Sequence, residues 1–174
     1  MIILITGGQR SGKSRYAEEL ALTMSPNPVY LATAHVSDEE FAERVKAHQR
    51  RRGPQWTNLE EEKTLSRFDL SGRVVVVDCI TLWLSNFFFD SSLSDASQST
   101  TGEALDAAKK EFDKLVAKDA SFIVVTNEIG CGGTSQSAVQ RRFTDLQGWF
   151  NQYVAGRADK VIMMVCGIPV TIKK

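Results

Sequence analysis

Short apolar runs alternate along the chain with segments whose apolar residues recur at steps of three and four. Five runs are apolar almost throughout, as is typical of strands covered on both faces of a parallel sheet, at residues 2–6, 29–33, 73–78, 121–126 and 160–166. A sixth run, at residues 170–173, follows Gly167-Ile168-Pro169, and such a turn indicates an antiparallel edge strand. The pattern predicts an α/β fold with a mostly parallel sheet and an antiparallel C-terminal edge.

Helices are predicted between these strands, at residues 13–24, 38–51, 58–66, 80–89, 102–118 and 137–155. The last helix has the clearest apolar stripe, formed by Val139, Phe143, Leu146, Phe150 and Val154. Two of the predicted helix starts carry the spacing of a capping box, Ser37 with Glu40 and Thr57 with Glu60. The Ser- and Thr-rich segment 91–101 predicts an exposed loop.

Length and composition favour a single-domain protein and argue against several classes of partner and site. A chain of 174 residues favours one domain, spanning residues 1–174. Twenty-one basic and 21 acidic side chains give a net charge of zero, so no overall charge attracts the protein to nucleic acid or to an anionic membrane. Three widely spaced cysteines support neither a disulfide framework nor a thiolate zinc site. Because no apolar run is long enough to span a bilayer and no signal-peptide pattern is present, we expect a cytoplasmic protein without a membrane span.

The segment between the first predicted strand and the first predicted helix fits the pattern G-x-x-x-x-G-K-[ST], with Gly7, Gly8, Gln9, Arg10, Ser11, Gly12, Lys13 and Ser14. In such a loop the backbone N–H groups and the helix N-terminus hold phosphate oxygens, the lysine reaches the terminal phosphates and the serine hydroxyl can bind Mg²⁺. The alternative is a glycine-rich turn with a solvated lysine. The motif predicts a three-layer αβα domain of the P-loop NTPase (RecA-like) type that binds a nucleoside triphosphate.

Asp78 ends a run of four valines, where such folds place the carboxylate that holds Mg²⁺, although aspartate is also a common turn residue. Ser14 and Asp78 are therefore the candidate metal ligands. No N-K-x-D sequence occurs, which disfavours a regulatory GTPase. The loop by itself does not distinguish a kinase from an ATPase.

Arg44, His48, Arg51 and Arg52 have the spacing of residues on one side of a continuous helix. Two interpretations remain open. In the first, His48 is half-buried at the end of an apolar stripe that includes Phe41 and Val45, and the arginines form a solvated basic helix end. In the second, the imidazole attacks a phosphate to form a covalent intermediate, and the guanidinium groups neutralise the developing charge.

Six segments, in chain order, resemble the bifunctional adenosylcobinamide kinase and adenosylcobinamide-phosphate guanylyltransferase family of cobalamin biosynthesis: GGQRSGKSRYAE, YLATA, ERVKAHQRRRGPQW, VVVDCITLWLSN, VVTNEIG and FTDLQGWFNQYVAGRADKVIMMVCGIPVTIK. The resemblance implies phosphorylation of the corrinoid adenosylcobinamide by ATP or GTP. It then implies transfer of GMP from GTP, through a guanylyl-histidine, to adenosylcobinamide phosphate. It also implies a homotrimer.

The resemblance assigns site residues as well. His48 stands at the position of the guanylylated histidine and, with Lys13, is expected to be catalytic. Nucleotide binding is expected from the loop Gly7 to Ser14 and from Ala32, Thr33, Ala34, Gln49, Arg50, Arg51, Arg52, Glu60 and Asp78. Glu60 has a competing role as a helix cap.

Some features are left undecided by the resemblance. The chain departs from the family at residues 131–136, after Asn127-Glu128-Ile129-Gly130, so that loop is not defined. Glu128, at a strand end, is a candidate general base for the kinase step. The run Phe87 to Phe89 fits either a subunit contact or the core. Two other functions stay open, a small-molecule kinase with a single activity and a nucleotide-binding regulatory module that transfers nothing.

Overall fold

The computed structural model describes residues 1–34, 43, 50, 52–89 and 98–174. Within them, seven strands form one sheet: β1 (Ile2–Gly7), β2 (Val29–Ala32), β3 (Thr57–Glu60), β4 (Val74–Asp78), β5 (Ser121–Val125), β6 (Lys160–Val165) and β7 (Ile168–Lys173). Their order across the sheet is β3-β2-β4-β5-β1-β6-β7. Every neighbouring pair is parallel except β6 and β7. The predicted mixed sheet and its antiparallel C-terminal edge are confirmed.

Within the same residues, four α-helices of nine residues or more lie between the strands: α1 (Lys13–Met24), α2 (Ile80–Phe88), α3 (Gln98–Val116) and α4 (Ala138–Arg157). Short 3₁₀ helices lie at Leu65–Arg67 and Gly130–Gly132. The helices predicted at residues 13–24, 80–89, 102–118 and 137–155 are confirmed. Most of the helix predicted at 38–51 lies outside the described residues, although Glu43 and Arg50 within it are helical. No helix in the described part of the chain is long and apolar enough to cross a bilayer.

The helix predicted at residues 58–66 is wrong. Residues Thr57–Glu60 form the edge strand β3, which pairs in parallel with β2. The backbone N–H of Thr57 donates to the Pro28 carbonyl at 3.0 Å, and that of Glu61 donates to the Ala32 carbonyl at 3.0 Å. Because the neighbouring strand supplies these partners, the local capping-box spacing of Thr57 and Glu60 is overridden.

The loop predicted at residues 91–101 is wrong at its end. Residues 98–101 belong to the first turn of α3, and residues 91–97 lie outside the described part of the chain. Within α3, Thr101, Ala104, Ala108, Phe112 and Leu115 are buried. Their spacing of three and four shows that packing of one helix face extends the helix into a Ser- and Thr-rich segment.

The two faces of the sheet are covered by different helices. One face packs Leu31, Val77 and Val124 against a cluster that contains Trp83 of α2, Phe112 of α3 and Phe150 of α4. The other face packs residues such as Ile5, Val76 and Ile123 with Ala17 and Ala21 of α1. This arrangement confirms the predicted three-layer αβα architecture, in which strands buried on both faces read as unbroken apolar runs.

The aromatic run at the end of α2 divides between core and surface. Phe87 and Phe88 pack against the buried cluster, whereas Phe89 is 66% exposed. The ring of Phe89 lies 6.4 Å from the ring of Phe143 on α4, in a stacked orientation. The core interpretation therefore holds for two of the three phenylalanines.

Candidate functional site

The loop between β1 and α1 has the backbone geometry of an anion cradle. Gly7 and Gly12 have φ values of +146° and +94°, and Arg10 has a φ of +61°. A Cβ on Gly7 would lie 2.6 Å from the carbonyl oxygen of Met164 in β6. Only glycine fits there, because the loop both turns through positive φ and passes close to a neighbouring strand.

Two backbone hydrogen bonds anchor this loop to its neighbours. The N–H of Glu128 donates to the Gly7 carbonyl at 3.0 Å, and the N–H of Gly167 donates to the Ser11 carbonyl at 3.1 Å. The loop is thus held by the segments that follow β5 and β6. A cradle fixed in this way is preorganised for a ligand at the N-terminus of α1.

The side chain of Lys13 folds back across the loop. Its ammonium nitrogen lies 2.6 Å from the Gly8 carbonyl oxygen and 3.5 Å from the Ser11 hydroxyl oxygen. Lys13 is 7% exposed, and burial lowers its pKa, while the nearby Cys79 and Asp78 act in the opposite direction. A buried ammonium group beside a glycine-rich loop at the N-terminus of α1 is suited to phosphate oxygens.

Asp78 lies at the carboxyl end of β4 and interacts with Tyr30 of β2. The Tyr30 hydroxyl donates a hydrogen bond to Asp78 Oδ2 at 2.6 Å. Burial and then the negative charge of Asp78 raise the pKa of Tyr30 well above its usual range, so the phenol stays protonated as a donor. Tyr30 was missed by the sequence prediction because it sits within an apolar strand run and its partner is 48 residues away.

Three predicted nucleotide-binding residues meet at this sheet edge. Ala32, the last residue of β2, is in register with Glu60 of β3 on one side and with Asp78 of β4 on the other. In α/β sheets, ligands bind in the crevice at the carboxyl ends of the strands. The structure therefore brings Ala32, Glu60 and Asp78 together at the edge where a ligand is expected.

Thr33 and Ala34 continue from β2 beyond the sheet edge. The Thr33 side chain is fully buried, and its hydroxyl donates to the Cys79 carbonyl at 2.8 Å. Its own carbonyl accepts from the Asn86 amide at 3.0 Å. The polar groups of Thr33 thus join the end of β2 to both ends of α2, and Ala34 is half-buried.

Arg52, which is expected to bind the nucleotide, contacts residues of β2, β3 and α1. Its side chain is only 3% exposed, and its guanidinium carbon lies 3.6 Å from the centre of the Tyr30 ring. Its Nε donates to Asn58 Oδ1 at 2.7 Å, and its Nη1 lies 3.5 Å from Glu18 Oε1 on α1. The guanidinium group is therefore occupied by contacts inside the protein.

Besides Arg52, Arg50 is the residue of the predicted basic segment 48–52 that the structure describes. His48, Gln49 and Arg51 lie outside the described residues, and Arg50 is helical and exposed.

Glu128, the candidate general base, lies just after β5 and beside the phosphate-binding loop. Glu128 Oε1 accepts from the Gly130 N–H at 2.8 Å, close to the point where its backbone meets Gly7. Behind it, Gln147 of α4 is 1% exposed and donates to the Thr126 hydroxyl at 2.7 Å. This buried contact fixes the strand end beside the phosphate-binding loop, and no local pattern in the sequence reveals it.

A cleft of about 540 Å³ lies next to this strand end. It is lined by residues from the 3₁₀ helix at Gly130–Gly132, the following loop and the first turns of α4, among them Gly133, Ser135 and Arg142. The guanidinium of Arg141 donates to the carbonyls of Ser135 and Gln136, which holds the loop in place. The loop that departs from the resembled family thus forms one wall of the cleft.

The chemistry of the predicted metal ligands fits Mg²⁺. Ser14 and Asp78 offer a hydroxyl and a carboxylate, the hard oxygen donors that Mg²⁺ prefers. Among the described residues, no group of three or more His, Cys, Asp or Glu side chains forms a metal cluster. Mg²⁺ is commonly held by one or two protein oxygens together with substrate phosphates, so two donors beside a phosphate cradle are sufficient.

Comparison with known proteins gives full-length matches. A family model described as cobinamide kinase / cobinamide phosphate guanyltransferase matches residues 3–172. The chain is 38% identical over 174 residues to the bifunctional adenosylcobalamin biosynthesis protein CobP of Pseudomonas aeruginosa, with 98% of this chain and 96% of that protein covered. It is 35% identical over 182 residues to CobU of Escherichia coli K12, with 99% and 100% covered.

Among solved structures, an ATPase from the type III secretion system of pathogenic bacteria superimposes with a TM-score of 0.56 at 10% identity. The match covers 98% of this chain and 56% of that one. At this identity the likeness concerns the fold alone, and it agrees with the predicted P-loop NTPase architecture. Because the family model spans almost the whole sequence and the curated relatives align end to end, the chain belongs to the cobinamide kinase / cobinamide phosphate guanyltransferase family.

Proposed function

We propose that the chain phosphorylates adenosylcobinamide with ATP or GTP and then transfers GMP from GTP to the resulting phosphate, giving adenosylcobinamide-GDP. The observation that carries the proposal is the position of Lys13. Its ammonium group lies across the cradle Gly7 to Ser14, and the charge of Asp78 acts on it from the adjoining sheet edge. Family membership supplies the substrate class, because the family description names the corrinoid and both reactions.

In the first reaction, the side-chain hydroxyl oxygen of adenosylcobinamide attacks the γ-phosphorus of the nucleotide. A new P–O bond forms as the bond to the β,γ-bridging oxygen breaks, and the nucleoside diphosphate leaves. Lys13 and the loop N–H groups bind the phosphate oxygens and offset their charge. Mg²⁺, when held by Ser14 and Asp78, supplies further positive charge beside these oxygens. Glu128, next to Gly7, remains the candidate acceptor for the hydroxyl proton.

In the second reaction, an imidazole nitrogen of His48 attacks the α-phosphorus of GTP. A P–N bond forms as the bond to pyrophosphate breaks, and the leaving group takes the electron pair. A phosphate oxygen of adenosylcobinamide phosphate then attacks the same phosphorus and releases His48. Arg50 and Arg51 neutralise charge on the phosphate oxygens, and Gln49, Ala32, Thr33, Ala34 and Glu60 contribute to holding the guanine nucleotide. The exposure of Arg50 supports its access to a ligand.

The covalent step is tested by incubation with α-³²P-GTP and Mg²⁺. Wild type is expected to acquire an acid-labile, alkali-stable label, and His48→Ala is expected to acquire none. Since His35 is the only other histidine of the chain, His35→Ala is the matched control and should keep the label. An unlabelled wild type would favour a single-activity kinase instead. Nucleotide consumption that does not depend on the corrinoid would favour a regulatory module.

We also propose that the enzyme is a cytoplasmic homotrimer. Ile168, Val170 and Ile172 alternate along β7 and are 64%, 47% and 61% exposed. An apolar face of this kind at a sheet edge supports association with another subunit. Light scattering after gel filtration measures the assembly directly, and a mass of one subunit, 19.3 kDa, would contradict it.

A further inference from the structure

The carboxylate of Asp78 is oriented by a buried phenol. The Tyr30 ring is 4% exposed, and its hydroxyl lies 2.6 Å from Asp78 Oδ2. A carboxylate has no proton to give, so the phenol is the donor, and the charge of the acceptor makes the bond stronger than a neutral one. One oxygen of Asp78 is committed to this bond, and within the part of the chain that the structure describes the other oxygen accepts no further hydrogen bond, so it can face a ligand at the sheet edge.

Tyr30 is itself held from two sides. The ring of Trp56 meets it edge-on, with 6.0 Å between the ring centres. The guanidinium of Arg52 stacks on its face at 3.6 Å, within the range of a cation–π contact. Asn58 of β3 and Glu18 of α1 fix that guanidinium in turn. Contacts therefore run without a gap from α1 through Arg52 and Tyr30 to Asp78.

We propose that Tyr30 is a positioning residue for the metal-binding carboxylate of Asp78, and that Arg52 acts through Tyr30 rather than on a phosphate group. The inference rests on the metal role proposed above for Asp78. Partners that orient a ligating carboxylate affect metal affinity although they do not touch the metal. Arg52 also follows His48 by only four residues, so the same contacts anchor the chain that carries the proposed nucleophile.

The test measures metal binding and does not depend on turnover. Binding of Mn²⁺, a paramagnetic substitute for Mg²⁺, is followed by electron paramagnetic resonance in the presence of the α,β-methylene analogue of GTP, whose α–β bridge His48 cannot break, and without the corrinoid. Tyr30→Phe removes only the hydroxyl and is expected to weaken Mn²⁺ binding about tenfold. Asp78→Asn is expected to weaken it at least as much.

Tyr153→Phe is a closely matched control. The Tyr153 hydroxyl also bonds to an aspartate, Asp113, at 2.7 Å, and Arg157 stacks on its ring at 3.5 Å. This second tyrosine joins α3 to α4 on the outer surface, so its variant should leave Mn²⁺ binding unchanged. If Asp78→Asn weakens Mn²⁺ binding and Tyr30→Phe does not, the positioning role is refuted and the metal role of Asp78 stands. If wild type shows no nucleotide-dependent Mn²⁺ binding, the metal role itself fails, and the positioning role fails with it.

Variants of Arg52 distinguish a role through Tyr30 from a direct contact with a phosphate group. Arg52→Met keeps an unbranched side chain but removes the charge and the flat guanidinium. It should weaken Mn²⁺ binding to the extent that Tyr30→Phe does, and the double variant should be no worse, because both act through one path. A phosphate contact predicts instead weaker binding of the metal-free nucleotide, with Mn²⁺ affinity retained. If Arg52→Met does not fold, Arg52→Lys keeps the charge beside Glu18 without the flat stacking face, and it is expected to show the same loss of Mn²⁺ affinity in smaller measure.

Discussion

The ammonium nitrogen of Lys13 lies 2.6 Å from the carbonyl oxygen of Gly8, so the lysine closes over the loop that precedes its own helix. The contact gives the ammonium group a partner in a place where it is almost excluded from water. A nucleotide phosphate that entered the cradle would offer it a charged acceptor in place of a neutral one. The observed geometry thus directs the cation to the expected phosphate position.

Lys13→Ala is therefore expected to weaken GTP binding at least about tenfold, since hydrogen bonds to charged groups contribute about 1.5–3 kcal/mol. Isothermal titration calorimetry with GTP and Mg²⁺ measures the change. Lys114→Ala removes a lysine whose side chain is 69% exposed on α3 and serves as the control. Equal GTP affinities of Lys13→Ala and wild type would remove the lysine from the phosphate site.

Gly7→Ala is expected to destabilise the fold by more than about 2 kcal/mol, because the new methyl group meets the Met164 carbonyl at a strained φ. Gly8→Ala, in the same loop, is the matched control for this change. A Cβ on Gly8 has no neighbour within 4 Å, so Gly8→Ala should alter stability by no more than about 0.5 kcal/mol. Urea unfolding of both variants measures the difference, and equal midpoints would show that the close approach of the loop to β6 imposes no constraint.

The phosphate loop and most strands could be predicted because their signals are local. An apolar run marks a strand buried on both faces, and the spacing of Gly7, Gly12, Lys13 and Ser14 marks the loop. The strand β3 could not be predicted in this way. It lies at the sheet edge, Leu59 is its only residue that is not exposed, and its hydrogen bonds come from β2 across an intervening segment of 24 residues, 33–56.

The surroundings of Asp78 could not be predicted for a similar reason. Its strand-end position is visible in the sequence, but Tyr30 and Arg52 reach it from elements far apart along the chain. Helical spacing groups Arg52 with His48, whereas Arg52 itself is not helical in the structure and its guanidinium is buried. The nucleotide role expected for Arg52 comes from its charge and spacing, and only the fold reveals the aromatic ring that it covers.

Glu61 organises the turn after β3 and gives a pH-dependent prediction. Its Oε1 accepts from the N–H groups of Lys63 and Thr64 at 3.1 Å each, and its Oε2 pairs with Arg67 at 2.9 Å. Burial tends to raise the pKa of Glu61, but the Lys63 N–H, the Arg67 side chain and the Thr64 N–H together lower it below its usual value of 4.5. A carboxylate with a lowered pKa stabilises the fold above its unfolded-state pKa, and this contribution is lost as the pH falls through the folded-state pKa.

Glu61→Gln is therefore expected to cost about 1 kcal/mol of unfolding free energy at pH 7. The difference from wild type should shrink below pH 4.5, where wild type also becomes protonated. Glu103→Gln makes the same change of charge at an exposed position of α3 and controls for the change in net charge. Urea unfolding at a series of pH values between 3 and 7 measures both, and a difference that did not depend on pH would contradict the proposed role of the carboxylate.

Cys79, directly after Asp78, is expected to be unreactive although it adjoins the site. Burial raises the pKa of its thiol to about 12, and the charge of Asp78 acts in the same direction, against smaller opposing effects of the Leu82 and Thr81 N–H groups and of Lys13. The reactive form of cysteine is the thiolate, so at pH 8 only about one Cys79 thiol in ten thousand is reactive at any moment. Cys131 and Cys166 are exposed and supply an internal comparison within the same molecule.

Iodoacetamide at pH 8 should thus modify Cys131 and Cys166 in the native protein, and Cys79 only after unfolding in urea. Mass spectrometry of the peptides assigns each site. Rapid alkylation of Cys79 in the folded protein would mean that the start of α2 opens readily, which would conflict with the fixed placement of Asp78 on which the metal role depends.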